Sequence, residues 1–202
     1  MAAIDAKMVG ALRKRTGAPM MDCKAALAEA DGDMDKAVDV LRKKGLQTAD
    51  NRSDKDAAEG QVFSYVHHNG KLGVLVEVAC ETDFVARNEE FREFGADLCL
   101  HVAAMNPAYL NAEEIDEESL ARERQILVDM TRAQMDGKPD DVIEKAAEGR
   151  LKKYLAERCL VDQPFVKDDK KSVGEALKEL AGKIGENLQL RRFVRVELGA
   201  SV

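Results

Sequence analysis

Within the stretch 72–102 the hydrophobic period changes from that of a strand to that of a helix, and only the nine residues 80–88 are available to make the change. Upstream, Val74, Val76 and Val78 alternate along an apolar, β-branched run that ends at Cys80, as in a strand. Downstream, Phe91, Phe94, Leu98 and Val102 recur at helical spacing. No single element satisfies both periods. Cys80-Glu81-Thr82-Asp83-Phe84-Val85-Ala86-Arg87-Asn88 is therefore expected to be a strand-to-helix corner. Thr82 or Asp83 can cap the new helix by accepting from its first free N–H groups. Phe84 is an aromatic at a corner, suited to act as a wedge, and the Asp83 carboxylate beside it can compete for a cation or a hydrogen-bond donor. The cap and wedge readings are compatible, because one residue can cap while Phe84 projects outward.

The strand before the corner has a partner nearby. Val62-Phe63-Ser64-Tyr65-Val66 precedes it across His68-Asn69-Gly70-Lys71, and Asn-Gly between apolar runs predicts a β-hairpin over 61–80. His67 and His68, read as neighbours on a strand end, are expected to point to opposite faces, a poor geometry for one metal. A last strand is expected over 188–198, from Leu190, Phe193, Val194, Val196 and Leu198. Two early strands and one late one predict an α+β fold. Its core is a three-stranded antiparallel sheet closed by the C-terminal strand and packed with helices on one face. The open edges of so small a sheet invite pairing with a second copy.

Residues 1–45 read as a three-helix bundle. Ile4, Met8, Val9 and Leu12 share a face of the first helix, and Thr16-Gly17-Ala18-Pro19 ends it. The second helix starts at about Met20. The third carries Met34, Ala37, Val38 and Leu41 and is expected to stop at Lys43-Lys44-Gly45. Of the Met20-Met21 pair, one is expected in the core and the other at a partner's surface. The polar stretch 46–60 is read as a linker or solvated helix, giving a domain boundary before the core region 61–202. Beyond the corner, helices are expected to Met105, over 119–135 with Leu120, Ile126, Leu127 and Met130 on the apolar side, over 142–160 and over 173–184. An extended segment at 161–166 and a surface loop at 167–171 are expected between the last two.

Composition narrows the chemistry. The 202 residues carry 34% charged and 4% aromatic side chains and a net charge of −7, the profile of a helix-rich cytoplasmic protein without a broad nucleic-acid surface. The basic run Arg150-Leu151-Lys152-Lys153 reads as a solvated helix face. No apolar run is long enough to span a membrane and no leader-like segment is seen. Cys23, Cys80, Cys99 and Cys159 are too scattered for a zinc site, and no metal or cofactor is expected. There is no nucleophile–base set, P-loop or dinucleotide fingerprint. Cys80 near His67 reads as a buried strand cysteine, because a reactive thiol needs an exposed electropositive setting. The residues alone thus describe an α+β interaction protein that is not an enzyme.

Three motifs add more. Arg13-Lys14-Arg15-Thr16-Gly17-Ala18-Pro19-Met20-Met21-Asp22-Cys23-Lys24-Ala25-Ala26-Leu27, then Thr82-Asp83-Phe84-Val85-Ala86-Arg87-Asn88, then Gly182-Lys183-Ile184-Gly185-Glu186-Asn187-Leu188-Gln189-Leu190-Arg191-Arg192-Phe193 resemble signatures of the bacterial elongation factor Ts family. The resemblance covers nearly the whole chain. It implies a guanine-nucleotide exchange factor acting on elongation factor Tu in the elongation phase of translation. It also implies a ubiquitin-associated-like (UBA-like) N-terminal bundle that docks through Arg13, Met20, Met21 and Lys24. In the core, Thr82, Asp83, Phe84 and Val85 would reach the partner's nucleotide site and help dislodge its Mg²⁺. The chain resembles the short form of the family, for which a homodimer is implied and the long form's coiled-coil insertion is expected to be missing or much reduced. Three rivals remain on residues alone: a ubiquitin-like or nascent-chain binder using the bundle, a thiol enzyme at Cys80, and an RNA binder at 150–153.

Overall fold

The structure, a computed structural model, describes residues 4–200; the outermost residues of the two regions assigned above, 1–3 and 201–202, lie outside it. In chain order the elements are α1 (Ala6–Thr16), α2 (Met20–Glu29), α3 (Met34–Arg52), β1 (Glu59–Val66), β2 (Leu72–Cys80), α4 (Asp83–Ala86), α5 (Glu89–Met105), α6 (Glu117–Gln134), α7 (Asp140–Arg158), β3 (Pro164–Phe165), β4 (Asp168–Ser172), α8 (Val173–Ile184) and β5 (Leu188–Glu197). The fold is α+β, and its main sheet is three-stranded and antiparallel in the order β1-β2-β5, as the sequence predicts.

The hairpin forms where Asn69-Gly70 requires it. Gly70 takes φ +67°, the Lys71 N–H donates to the Asn69 side chain at 2.9 Å, and the His67 N–H donates to the Leu72 carbonyl at 2.8 Å. His67 and His68 do not diverge. Both lie beyond the strand end, where alternation no longer holds, and their ring centroids are 4.2 Å apart.

The chain divides into two compact units, one of residues 1–61, 77–93 and 177–191, the other of 62–76, 94–176 and 192–202. In the first, Val9, Leu12, Cys23, Ala26, Leu27, Ala30 and Ala37 form a closed core for the three N-terminal helices. Acidic caps start two of them: Asp5 accepts from the Met8 N–H and Asp33 from those of Asp35 and Lys36. Both copies of methionine in the Met20-Met21 pair are exposed, 50% and 73%, which corrects the expectation that one is core. They fill the first turn of α2, and the inward stripe begins only at Cys23.

The third helix does not end at Gly45 but continues to Arg52. Gly45 has a use other than termination. It lies against Gly182 of α8, so closely that a Cβ on Gly182 would strike the Gly45 carbonyl. Two glycines let two helix backbones meet, and the contact outweighs Gly45's weak helix propensity.

In the second unit, Val74 and Val76 of β2 and Phe94, Leu98 and Val102 of α5 are buried. Phe94 also meets Phe165, ring centroids 5.7 Å apart. His101 is buried in a closed polar network: its Nδ1 accepts from the Val166 N–H at 3.2 Å, leaving Nε2 to donate to Gln163 at 2.9 Å. Burial pushes its pKa below the ordinary imidazole value. The stretch 167–171, expected as a loop, holds all but the last residue of β4, which pairs antiparallel with β3. Asp168-Asp169-Lys170-Lys171-Ser172 carries no apolar alternation, so no periodicity reveals the strand. Helices α6 and α7 pack on each other across a five-residue connection, 135–139. The two helices and the turn between them, all expected from the sequence, close as an antiparallel helical hairpin. Ile126 and Met130, expected on the apolar side of α6, are exposed instead, while Ile143, Ala147 and Leu151 of α7 are buried.

The glycine contact is testable. Gly182→Ala should destabilise the protein by about 1–3 kcal/mol, the usual cost of overpacking. Gly10→Ala, in α1 with nothing near its would-be Cβ, should stabilise it by about 0.5–1 kcal/mol. Thermal melting of the two variants checks the opposite signs.

Candidate functional site

The strand-to-helix corner is built as the period change requires. Strand β2 ends with Cys80 fully buried, its thiol donating to the Thr82 carbonyl at 3.1 Å. Burial pushes this thiol up from its ordinary value, so it behaves as a small hydrophobe and not as a nucleophile. Thr82 is extended (φ −130°, ψ 155°) and its hydroxyl accepts from the Val85 N–H at 3.4 Å. Of the two candidates, Thr82 is therefore the cap. The single turn of α4 then points Val85 and Ala86 inward, 9% and 7% exposed, and leaves Phe84 79% exposed. Asp83 accepts from Arg87 at 2.8 Å across one turn, with both side chains largely in solvent. Such a surface pair contributes little stability, which leaves Asp83 free to exchange partners.

The corner is anchored by residues far away in sequence. The Glu186 carboxylate accepts from the Thr82 N–H at 3.1 Å and from the Thr82 hydroxyl at 2.7 Å. Glu81 accepts from Arg52 through Nε at 2.9 Å and Nη2 at 2.8 Å, and from the Asn187 N–H at 2.6 Å. The Asn187 side chain donates to the carbonyls of Ser53 and Lys55 at 3.1 and 2.7 Å. Gly185, φ +83°, takes the left-handed conformation that ends α8, its N–H donating to the Ala181 carbonyl. That reversal aims Glu186 and Asn187 at the corner. Gly185-Glu186-Asn187 stands within the third sequence motif, where no local pattern reveals its role. The usable signal was Glu81, a carboxylate directly after a buried strand, which must find a donor.

The four N-terminal candidates, Arg13 on α1 and Met20, Met21 and Lys24 on α2, are all exposed. They share the first unit with the corner. The same unit holds a cavity of about 290 Å³ near the start of α2, lined by Pro19, Asp22, Leu41, Lys44 and Gly182 among others. Two ion pairs lie in its wall, Lys44 with Asp22 at 2.6 Å and Arg42 with Glu179.

The Arg52 guanidinium, then the Asn187 N–H, hold the Glu81 carboxyl down to about 2 from an ordinary value of 4.5. A depressed carboxylate stabilises the fold above its unfolded value and loses that contribution as pH falls from about 4.5 towards about 2. Glu81→Gln should therefore melt below the parent at pH 7, and the gap should narrow by about pH 3. A gap unchanged across that window would contradict the bridge.

A sequence model of the family described as "Elongation factor TS" matches residues 35–200. The chain is 51% identical over 199 residues to elongation factor Ts of Moorella thermoacetica, covering 98% of this chain and 97% of that protein. It is 49% identical to elongation factor Ts of Desulforamulus reducens, with 98% and 91% covered. Against elongation factor Ts of Caldanaerobacter subterraneus subsp. tengcongensis the identity is 48%, with 98% of both covered. With the second and third motifs joined at one anchored corner and these relatives matched almost end to end, the chain belongs to the elongation factor Ts family of translation elongation factors.

Proposed function

We propose that this chain is a guanine-nucleotide exchange factor for elongation factor Tu in the bacterial cytoplasm, and that it breaks no covalent bond. The observation that carries the reading is Phe84, 79% exposed on a turn whose neighbours Thr82, Val85 and Ala86 are capped or buried. Full burial of a Phe side chain contributes about 1.5–3 kcal/mol. A lone exposed apolar residue is ordinary, but one held out by anchored neighbours suits insertion into a partner. In this reading Phe84 is the wedge. Asp83, released from Arg87, reorganises the surroundings of the Mg²⁺ that bridges the partner's nucleotide phosphates. Thr82 and Val85 complete the contact. Arg13, Met20, Met21 and Lys24 dock the UBA-like module on the partner's nucleotide-binding domain. The working division is 1–45 for docking, 46–60 as the connection, helical to Arg52, and 61–202 as the core.

Exchange of this kind is coupling between two ligands. A nucleotide bound at nanomolar affinity is held by about 12 kcal/mol. A factor that favours the nucleotide-free partner must weaken GDP by the factor by which GDP weakens it. Contacts present in only one of the two states supply that difference, and a rigid aromatic is well suited to provide one.

A homodimer fits the core. On one face of the main sheet Val62, Val66, Leu75, Val194 and Val196, with Leu198 just past β5, stand 48–76% exposed. A second copy of the same face would cover them isologously. No helix of the described residues is long and apolar enough to cross a membrane, and the net charge of −7 favours a protein partner over nucleic acid.

Release of fluorescent GDP from elongation factor Tu tests the function. The parent should accelerate it at catalytic amounts, and Phe84→Ala should lower that acceleration by about 10²-fold while melting like the parent. Unchanged release with the variant would remove Phe84 from the mechanism, and no acceleration by a folded parent would remove the function. Val196→Lys should shift sedimentation from dimer to monomer; an unshifted dimer would rule out the sheet face.

A further inference from the structure

We propose that Glu186 is a positioning residue for exchange: it clamps Thr82 so that Asp83 and Phe84 are presented in one fixed orientation. The inference rests on the exchange reading above and adds a residue to it. One carboxylate takes both polar hydrogens that Thr82 offers, the N–H at 3.1 Å and the hydroxyl at 2.7 Å. Donating to Glu186 aligns the Thr82 hydroxyl so that its lone pairs remain for the Val85 N–H. The clamp and the helix cap are thus one hydrogen-bonded relay, Glu186 to Thr82 to Val85, and the turn bearing Phe84 is its output. An α-helix of four residues cannot hold itself. Loss of Glu186 would leave the Thr82 cap bond but free the corner to rotate about the end of β2.

The neighbouring tie has a different duty. The Asn187 side chain bonds the carbonyls of Ser53 and Lys55, away from Thr82, and secures the segment after α3. This gives a built-in control. Asn187→Ala removes a tie of the same loop without touching the clamp, whereas Glu186→Ala removes the clamp. Glu186→Gln retains one acceptor of the two and should fall between.

The experiment measures GDP release from elongation factor Tu as a function of exchange-factor concentration, separating the saturating rate from half-saturation. Amide hydrogen exchange of the free proteins runs beside it. For Glu186→Ala the saturating rate should fall about tenfold or more with half-saturation changed less than about threefold, because orientation and not docking is lost. Hydrogen exchange should quicken over 82–86 alone. Glu186→Gln should lose about threefold in rate and melt like the parent, which keeps the test decisive even where Glu186→Ala folds poorly. Asn187→Ala should melt lower yet keep its saturating rate within about twofold. A full saturating rate in the Glu186 variants, with an active parent, overturns the inference alone. An equal fall in Asn187→Ala shows a merely structural role and overturns it too. A parent that does not accelerate release overturns the exchange reading, and the inference with it.

Discussion

Two carboxylates hold the corner together, and the rest of the first unit is arranged to reach them. Glu81 and Glu186 each accept two or more hydrogen bonds, from donors on segments about a hundred residues away along the chain or nearly thirty before it. Neither carboxylate can be left without donors at the end of a buried strand, since a desolvated, unpaired charge is far more costly than the bonds are worth. Arg52 must therefore arrive, which explains why α3 runs on past Gly45. Asn187 and Glu186 must arrive as well, and the left-handed turn at Gly185 brings them. The Gly45–Gly182 contact then sets how closely α3 and α8 run, and so where Arg52 and Glu186 end up.

The geometry separates what is rigid from what is offered. Cys80, Val85 and Ala86 are buried, Thr82 is bonded on three sides, and Glu81 is bridged bidentately. Between these fixed points stand two side chains with no structural duty of weight: Phe84, whose ring is in solvent, and Asp83, whose ion pair with Arg87 is an exposed one. Flexible groups lose about 0.5–1.5 kcal/mol per side chain when a partner immobilises them, more where backbone must order as well. Holding the backbone in advance removes the larger part of that cost. A stiff frame with two free side chains suits a contact that must distinguish two states of one partner.

Legibility in the sequence followed locality. The hairpin was readable because Asn69-Gly70 specifies a turn, the corner because the hydrophobic period switches within nine residues, and α8 because its apolar stripe is complete. At the corner the cap and the outward aromatic Phe84 were readable from neighbouring residues, whereas Thr82, Asp83, Phe84 and Val85 as a proposed contact set came from the family resemblance alone. What escaped depends on tertiary partners. Gly45 reads as a stop until Gly182 is known to lie against it. Asp168-Asp169-Lys170-Lys171-Ser172 reads as a loop because a short polar hairpin lacks alternation. Met20 and Met21 read as half core because methionine usually is, but the bundle is already filled by Cys23, Ala26 and Leu27. The roles of Glu186 and Asn187 were illegible for the same reason: no local pattern says which distant N–H a carboxylate will find.

The exposed sheet face and the exposed corner are different solutions to leaving apolar groups in water. On the sheet, five aliphatic side chains of β1, β2 and β5, with Leu198 just past β5, form a broad stripe, and no single one dominates. Such a surface gains from area and suits a lasting, self-complementary contact. At the corner one aromatic ring stands among polar and charged neighbours, Asp83 and Arg87. It offers little area but a defined shape, as an anchor does in a transient contact that must later let go. In the proposed exchange a tight grip by the corner would trap the partner, since whatever binds the nucleotide-free state strongly must be displaced by incoming nucleotide through the same coupling. In the exchange proposed above, small area, rigid placement and re-formation of the Asp83–Arg87 ion pair on release would together keep that contact reversible.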